Sequence, residues 1–394
     1  MDEEIRRARL GRRGIVRKSI SIVKPATRKA SIPNDPDFAT LRSATPPVRS
    51  GPELIDVREV RTELRQFEDR STALATLLFL VDAAVYALCF LWLAWLPGNP
   101  ILKAALSLIL GIHITRFFIL GHDAAHGSLT ASRALNGIIG RIALLPALHP
   151  FSLWQLGHNR VHHPFANLKG VDFIWIPLSP EEYLHLPPWR RALERFYRSA
   201  PGLGFYYLFE IWWKYLSPKG INALKDRRAV YYFDVLLVLA FAVLQIFLAP
   251  QAVVWTTVIP FLMWNWLMGF IIYNHHTHSS VRFFQKRPEW RSREGQVLGS
   301  VHVVFPPLAG LLLNHIMEHT AHHLDVNIPC YRLHAAQELV ERRFATGLVI
   351  ERWSIGSFLA TLRTCQLYDY DRHRWLGFDE ALSFAQAPEG AACK

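Results

Sequence analysis

Four stretches of this chain are apolar over lengths that suit a lipid bilayer better than the core of a soluble domain. Residues 72–95 hold a single charged side chain, Asp82. As a helix rising ~1.5 Å per residue they exceed the ~30 Å hydrocarbon core of a membrane. Residues 101–120 form a second candidate, in which Lys103, His113 and Arg116 must sit near an end or face protein rather than lipid. Residues 230–248 and 253–273 form a second pair, joined tightly around Ala249, Pro250 and Gln251. The expected fold is therefore all-α, a multi-pass membrane protein with two transmembrane helical hairpins, at about 72–120 and 230–273, giving four spans. The apolar run 297–313 contains His302 and is broken by Pro306 and Pro307. It reads as a buried or re-entrant segment rather than a fifth span.

Charge sets the expected orientation and narrows the function classes. Neither hairpin tip, 97–100 or 249–251, carries Lys or Arg, so the positive-inside rule places both termini and both long loops in the cytoplasm. The net charge of +12 is spread over those loops without a nucleic-acid-binding motif, which favours lipid headgroups over nucleic acid as the partner. Residues 1–50 mix Arg, Ser, Pro and Lys and are expected to be a disordered basic cytoplasmic tail. A membrane domain over 51–345 and a cytoplasmic C-terminal segment over 346–394 follow. Asp2, Glu3 and Glu4 argue against a transit peptide, and no cleavable signal peptide is visible. The four cysteines show no pairing or metal-ligand spacing, which suits a reducing compartment. Residues 188–199 read as an interfacial helix, with Trp189, Leu193 and Phe196 on one face between charged flanks.

Fourteen of the eighteen histidines fall in two windows, 122–163 and 275–323, each following an expected hairpin. Both windows lie on one side of the membrane, so they can meet in a cytoplasmic helical cap. His122 and His126 are four apart and share a helix face. His158, His162 and His163 form a second cluster, and His319, His322 and His323 a third. Eight imidazoles are too many for one metal ion and about right for two, so a histidine-rich dimetal site is expected. Imidazole suits iron, zinc, copper and nickel alike, but closed zinc sites take four ligands and often include cysteine. Soluble diiron bundles use paired Glu-x-x-His motifs, which are missing here. For isolated histidines such as His113, His149, His185, His302, His334 and His373, packing or solvation is the expected role. Asp123, Asn167, Asp172 and Glu318 are candidates to orient ligand imidazoles through the second ring nitrogen, although Asn167 and Asp172 suit turns equally well. Trp154, Phe173 and Trp175 could line an acyl tunnel or anchor the chain at the interface.

The spacings H-x3-H, H-x3-HH and H-x2-HH, set among four spans, resemble those of the membrane fatty acid desaturase family, which also includes hydroxylases and ketolases. The resemblance covers roughly 72–340. Gly121 to Ser128, Asn167, Asp172 and His276-Thr277-His278 are similar to the bacterial and plant-type acyl desaturases of the delta-12 kind. The resemblance implies a centre of two iron ions held by His122, His126, His158, His162, His163, His319, His322 and His323, with one further histidine between the second and third clusters. His278 is favoured for that place over His276; Asn274 and His315 are other possible contributors. It also implies dioxygen as co-substrate, a lipid acyl substrate and a separate ferredoxin or cytochrome b5-type donor, because the chain shows no haem, flavin or iron-sulfur motif of its own. The expected place is a membrane of the bacterial inner-membrane kind, with the site on its cytoplasmic side. Two rivals are hydroxylation or ketolation of a fatty acid or carotenoid, and metal transport or sensing. Transport sites lie near the bilayer midplane on broken helices, whereas these histidines follow the spans.

Overall fold

The computed structural model describes residues 56–95, 97–215, 228–290, 295, 297–344 and 347–381. The expected basic tail, 1–50, lies outside the described residues. Among the described residues, four helices are long and apolar enough to cross a membrane: Thr72–Trp95, Pro100–His126, Arg228–Leu248 and Val254–His276. The second is bounded by strong local signals. Asn99 accepts a hydrogen bond from the Ile101 N–H at 2.7 Å, and Pro100 occupies the first turn. At the other end Gly127 adopts φ +77°, and the Gly127 and Ser128 N–H groups donate to Ala124 and Asp123 carbonyls. Such a left-handed stop favours glycine. Twenty-seven residues make a helix of about 40 Å, about two turns longer than the ~30 Å core, with His122 and His126 in its last two turns.

The four candidate spans form an inner and an outer pair. The fourth packs chiefly on the second span and on the short helix Gly202–Tyr206. Glycines permit these approaches: a Cβ on Gly111 would lie 2.5 Å from the Met263 Cβ, and one on Gly269 would lie 2.3 Å from the Leu203 carbonyl oxygen. The first span leans on the second through Asp82, which accepts a 2.9 Å bond from Arg116 Nε. The third touches the first where the Tyr86 hydroxyl donates to Gln245 at 3.2 Å. It is fixed to the helix Phe151–Gly157 by Asp234, which accepts from Ser152 N–H (2.8 Å) and Arg141 Nε (2.7 Å).

The described residues are mostly helical but not all-α. Strand β1 (Val301–Val304) pairs in parallel with β2 (Val349–Arg352), and β3 (Leu367–Asp369) pairs antiparallel with β4 (Arg374–Leu376). The run 297–313 thus divides into the buried strand β1 and a short helix, Pro307–Leu312, whose Leu308 and Leu311 are exposed. Pro306 and Pro307 supply the break. β2 and the helix Ile355–Thr364 join the same core as Trp175 and Phe283, through Val349, Phe358 and Leu362. In the helix Pro188–Tyr197, Trp189 and Phe196 face outward while Glu194 is buried. That polarity suits a helix lying against lipid.

Candidate metal centre

Nine histidines converge in two groups. One holds His122, His126, His158, His163 and His322; the other holds His162, His276, His319 and His323. Within each, one ring nitrogen per residue lies within 4.8 Å of all the others. The first group draws on the end of the second span, and the second on the end of the fourth. The segments 158–163 and 319–323 serve both.

Local helix geometry decides which group each histidine joins. His158–His162 is a π turn, closed by the His163 N–H donating to the His158 carbonyl. Five-residue closure brings His158 and His163 into the same group and sends His162 to the other, where the sequence spacing suggested a plain i, i+4 pairing. The side-chain amides of Gln155 and Asn159 donate to the Ala125 carbonyl at 2.7 and 2.8 Å and tie this turn to the first cluster. In the helix His319–Leu324 the ordinary α spacing holds, so His319 and His323 share one group and His322 faces the other.

The outer ring nitrogens of His122, His162 and His276 are fixed. His122 Nδ1 lies 2.9 Å from Asp123 Oδ1, and the other oxygen of Asp123 accepts from the Cys330 N–H at 2.6 Å. His162 Nδ1 lies 3.1 Å from Asp172, a carboxylate that also accepts from the N–H groups of Asn167, Phe173 and Ile174. His276 Nδ1 lies 2.9 Å from the Gly299 carbonyl oxygen. With Nδ1 engaged, Nε2 of each points inward with a free lone pair. The inward nitrogens crowd together: His122 to His158 3.0 Å, His158 to His163 3.0 Å, His163 to His322 3.2 Å, and His276 to His319 3.0 Å. A proton on His158 Nε2 can point to only one of its two neighbours. His126 Nε2 is buried with no hydrogen-bond partner. Metal–nitrogen bonds of about 2.1 Å at right angles put adjacent nitrogens about 3.0 Å apart, so the residues present fit metal ions where protons alone leave lone pairs facing lone pairs.

Burial and the surrounding imidazoles push His158, His163, His319, His322 and His323 well below the ordinary histidine range. They remain neutral at physiological pH, as metal ligation requires.

The structure departs from the sequence expectations at several positions. His276, not His278, joins the second group. The helix ends at Thr277, in extended backbone, and His278 turns away to lie 3.5 Å from Glu351. Asn274 bends back to donate to the Phe270 carbonyl at 2.7 Å, and His275 stacks on His319 with centroids 3.6 Å apart. The side chains of His315 and Glu318 pair with one another, and Glu318 also with His334. Asn167, at φ +63°, bonds the Gly299 and Arg282 carbonyls and holds a loop rather than an imidazole. An apolar cavity opens onto the cluster, with Phe118, Trp154, Phe173, Tyr207, Ile211 and Met268 in its wall. Trp154 stacks on His158 at 4.4 Å. Trp175 lies behind the wall, fully buried and stacked on Tyr206 at 3.9 Å.

The family model described as fatty acid desaturase matches residues 99–354. The sn-1 oleoyl-lipid 12-desaturase of a Picosynechococcus strain is 27% identical over 311 residues, covering 76% of this chain and 85% of the relative. The enzyme of the same name from a Synechocystis strain is 30% identical over 270 residues, covering 66% and 74%. A chloroplastic omega-6 fatty acid desaturase of Arabidopsis thaliana is 26% identical over 272 residues, covering 68% of this chain and 60% of the plant protein.

Proposed function

The chain belongs to the fatty acid desaturase family, and from that premise we propose that it inserts a double bond into the acyl chain of a membrane lipid, at the delta-12 kind of position, using two iron ions held by the nine histidines. It is an oxidoreductase of lipid acyl chains; the relatives named as oleoyl-lipid 12-desaturases support the position. The observation that carries the reading is the division of nine inward-facing imidazoles into groups of five and four beside an apolar cavity.

When bound, two iron ions with dioxygen supply an oxidant able to take hydrogen from an unactivated CH2 group, which no side chain can do. The overall change removes two hydrogens from adjacent carbons and, with two external electrons and two protons, reduces one dioxygen to two waters. The chain's own residues position the parts. Asp123, Asp172 and the Gly299 carbonyl lock ring orientation. Phe118, Trp154 and Phe173 would hold the acyl chain against the histidines and keep water out. Trp175 is proposed to support that wall through Tyr206 rather than touch substrate. The electrons come from a separate ferredoxin or cytochrome b5-type protein, steered by basic loops on the cytoplasmic face. Both termini lie on that face.

The test is the acyl composition, by gas chromatography and mass spectrometry, of a host expressing the chain with a suitable donor, beside His162→Ala. New dienoic chains that vanish in the variant are expected. Oxygenated products instead would establish a hydroxylase, and an unchanged profile from iron-loaded protein with an active donor would overturn the reading.

A further inference from the structure

A third set of metal-type donors converges outside the nine. His315 Nδ1 lies 3.0 Å and His334 Nδ1 2.9 Å from the same atom, Oε1 of Glu318, and the two rings pack with centroids 5.3 Å apart. The three donor atoms lie within 4.8 Å of one another. They come from separate places in the chain. His315 sits in a turn, Glu318 directly precedes the helix His319–Leu324, and His334 projects from the helix Cys330–Arg343. His315 follows Asn314 with both in the left-handed region, at φ +56° and +46°. That conformation is uncommon for a side chain other than glycine and persists where the surroundings enforce it. Here the Asn314 amide donates to the Arg116 carbonyl at 3.0 Å, and the His315 N–H donates to Gly310.

Exposure is graded across the set. Glu318 is buried, whereas the His334 side chain is 60% exposed, so the carboxylate is fixed and one side opens to solvent. Glu338 adds a carboxylate 3.7 Å from His334 Nε2.

We propose that His315, Glu318 and His334 form a separate site for a borderline divalent cation of the zinc kind, with at least one position open to water. Two imidazoles and one carboxylate match an open zinc site. Calcium and magnesium favour all-oxygen shells. A cation there would tie the turn ahead of His319–Leu324 to the helix Cys330–Arg343. The inference goes beyond the desaturase reading and does not depend on it.

The experiment uses full-length, iron-loaded protein dialysed against zinc or cobalt(II), with metals counted by elemental analysis. The wild type should take up one further equivalent without losing iron. His334→Ala, a change at an exposed position, should bind it at least about tenfold more weakly, with iron content and basal desaturation unchanged. His334→Cys with cobalt(II) should show thiolate-to-cobalt absorption that the alanine variant lacks. Uptake that is equal in wild type and His334→Ala, or absent from both, would mean a hydrogen-bonded triad only and overturn the proposal.

Discussion

The inner and outer pairs of spans are both apolar enough for a bilayer, yet they differ in how far the protein covers them. In Thr72–Trp95 and Arg228–Leu248, 17% of the apolar window is buried; in Pro100–His126 and Val254–His276 the shares are 56% and 44%. The inner pair meets at Gly111 and delivers His122, His126 and His276 from its ends. The outer pair contributes none of the nine histidines and turns Leu88, Leu239 and Leu244 outward. Hydropathy alone therefore marks what can span, while packing marks what positions the chemistry.

Acid should expose this difference most strongly. Burial holds His158, His163, His319, His322 and His323 below their ordinary range, near 6.5. The unfolded chain then binds more protons than the folded one, so stability is present above that value and falls as pH drops through it. Thermal unfolding of metal-free protein between pH 8 and 5 should show Tm falling at each step below about 6.5, with helicity of the outer spans lost last. A flat profile would mean that these imidazoles are not held neutral.

Next comes the outer residue that behaves as an inner one. Asp82 is buried against Arg116, and Asp82→Ala should cost about 3–5 kcal/mol by leaving a cation unpaired, read as a lowered midpoint in detergent unfolding. Gly111→Leu, forced against Met263 and the Pro260 carbonyl, should cost about 1–3 kcal/mol and lower activity by shifting the inner pair. At the other extreme, Leu244→Ala on the outer pair should stay within about 0.5 kcal/mol. Equal losses for the last two variants would erase the distinction between the pairs.

Much of this arrangement is legible in the sequence. The four candidate spans follow from uninterrupted apolar runs, and eight of the nine converging histidines follow from three spaced clusters. The ninth is not legible, because no glycine or proline marks the helix end at Thr277. One more turn of helix would exchange the prospects of His276 and His278. The π turn at His158–His162 is equally hidden, since five-residue closure depends on packing against Ala125 through Gln155 and Asn159. β1 and β2 lie 45 residues apart at their nearest ends, from Val304 to Val349, and pair through a tertiary contact that no local pattern announces. His315 and Glu318 sit so near the third cluster that the sequence offers His315 as a possible contributor and Glu318 as a candidate to orient a ligand; the structure has a left-handed turn at Asn314 and His315.

The central claim is that the two histidine groups, with His276 in the second, hold the metal that desaturates lipid. Iron content and product formation of His276→Ala and His278→Ala, measured side by side, test it most directly. His276→Ala should lose bound iron and all new unsaturated product, while His278→Ala keeps both near the wild-type level. The reverse pattern, with iron and product surviving in His276→Ala and lost in His278→Ala, would contradict it.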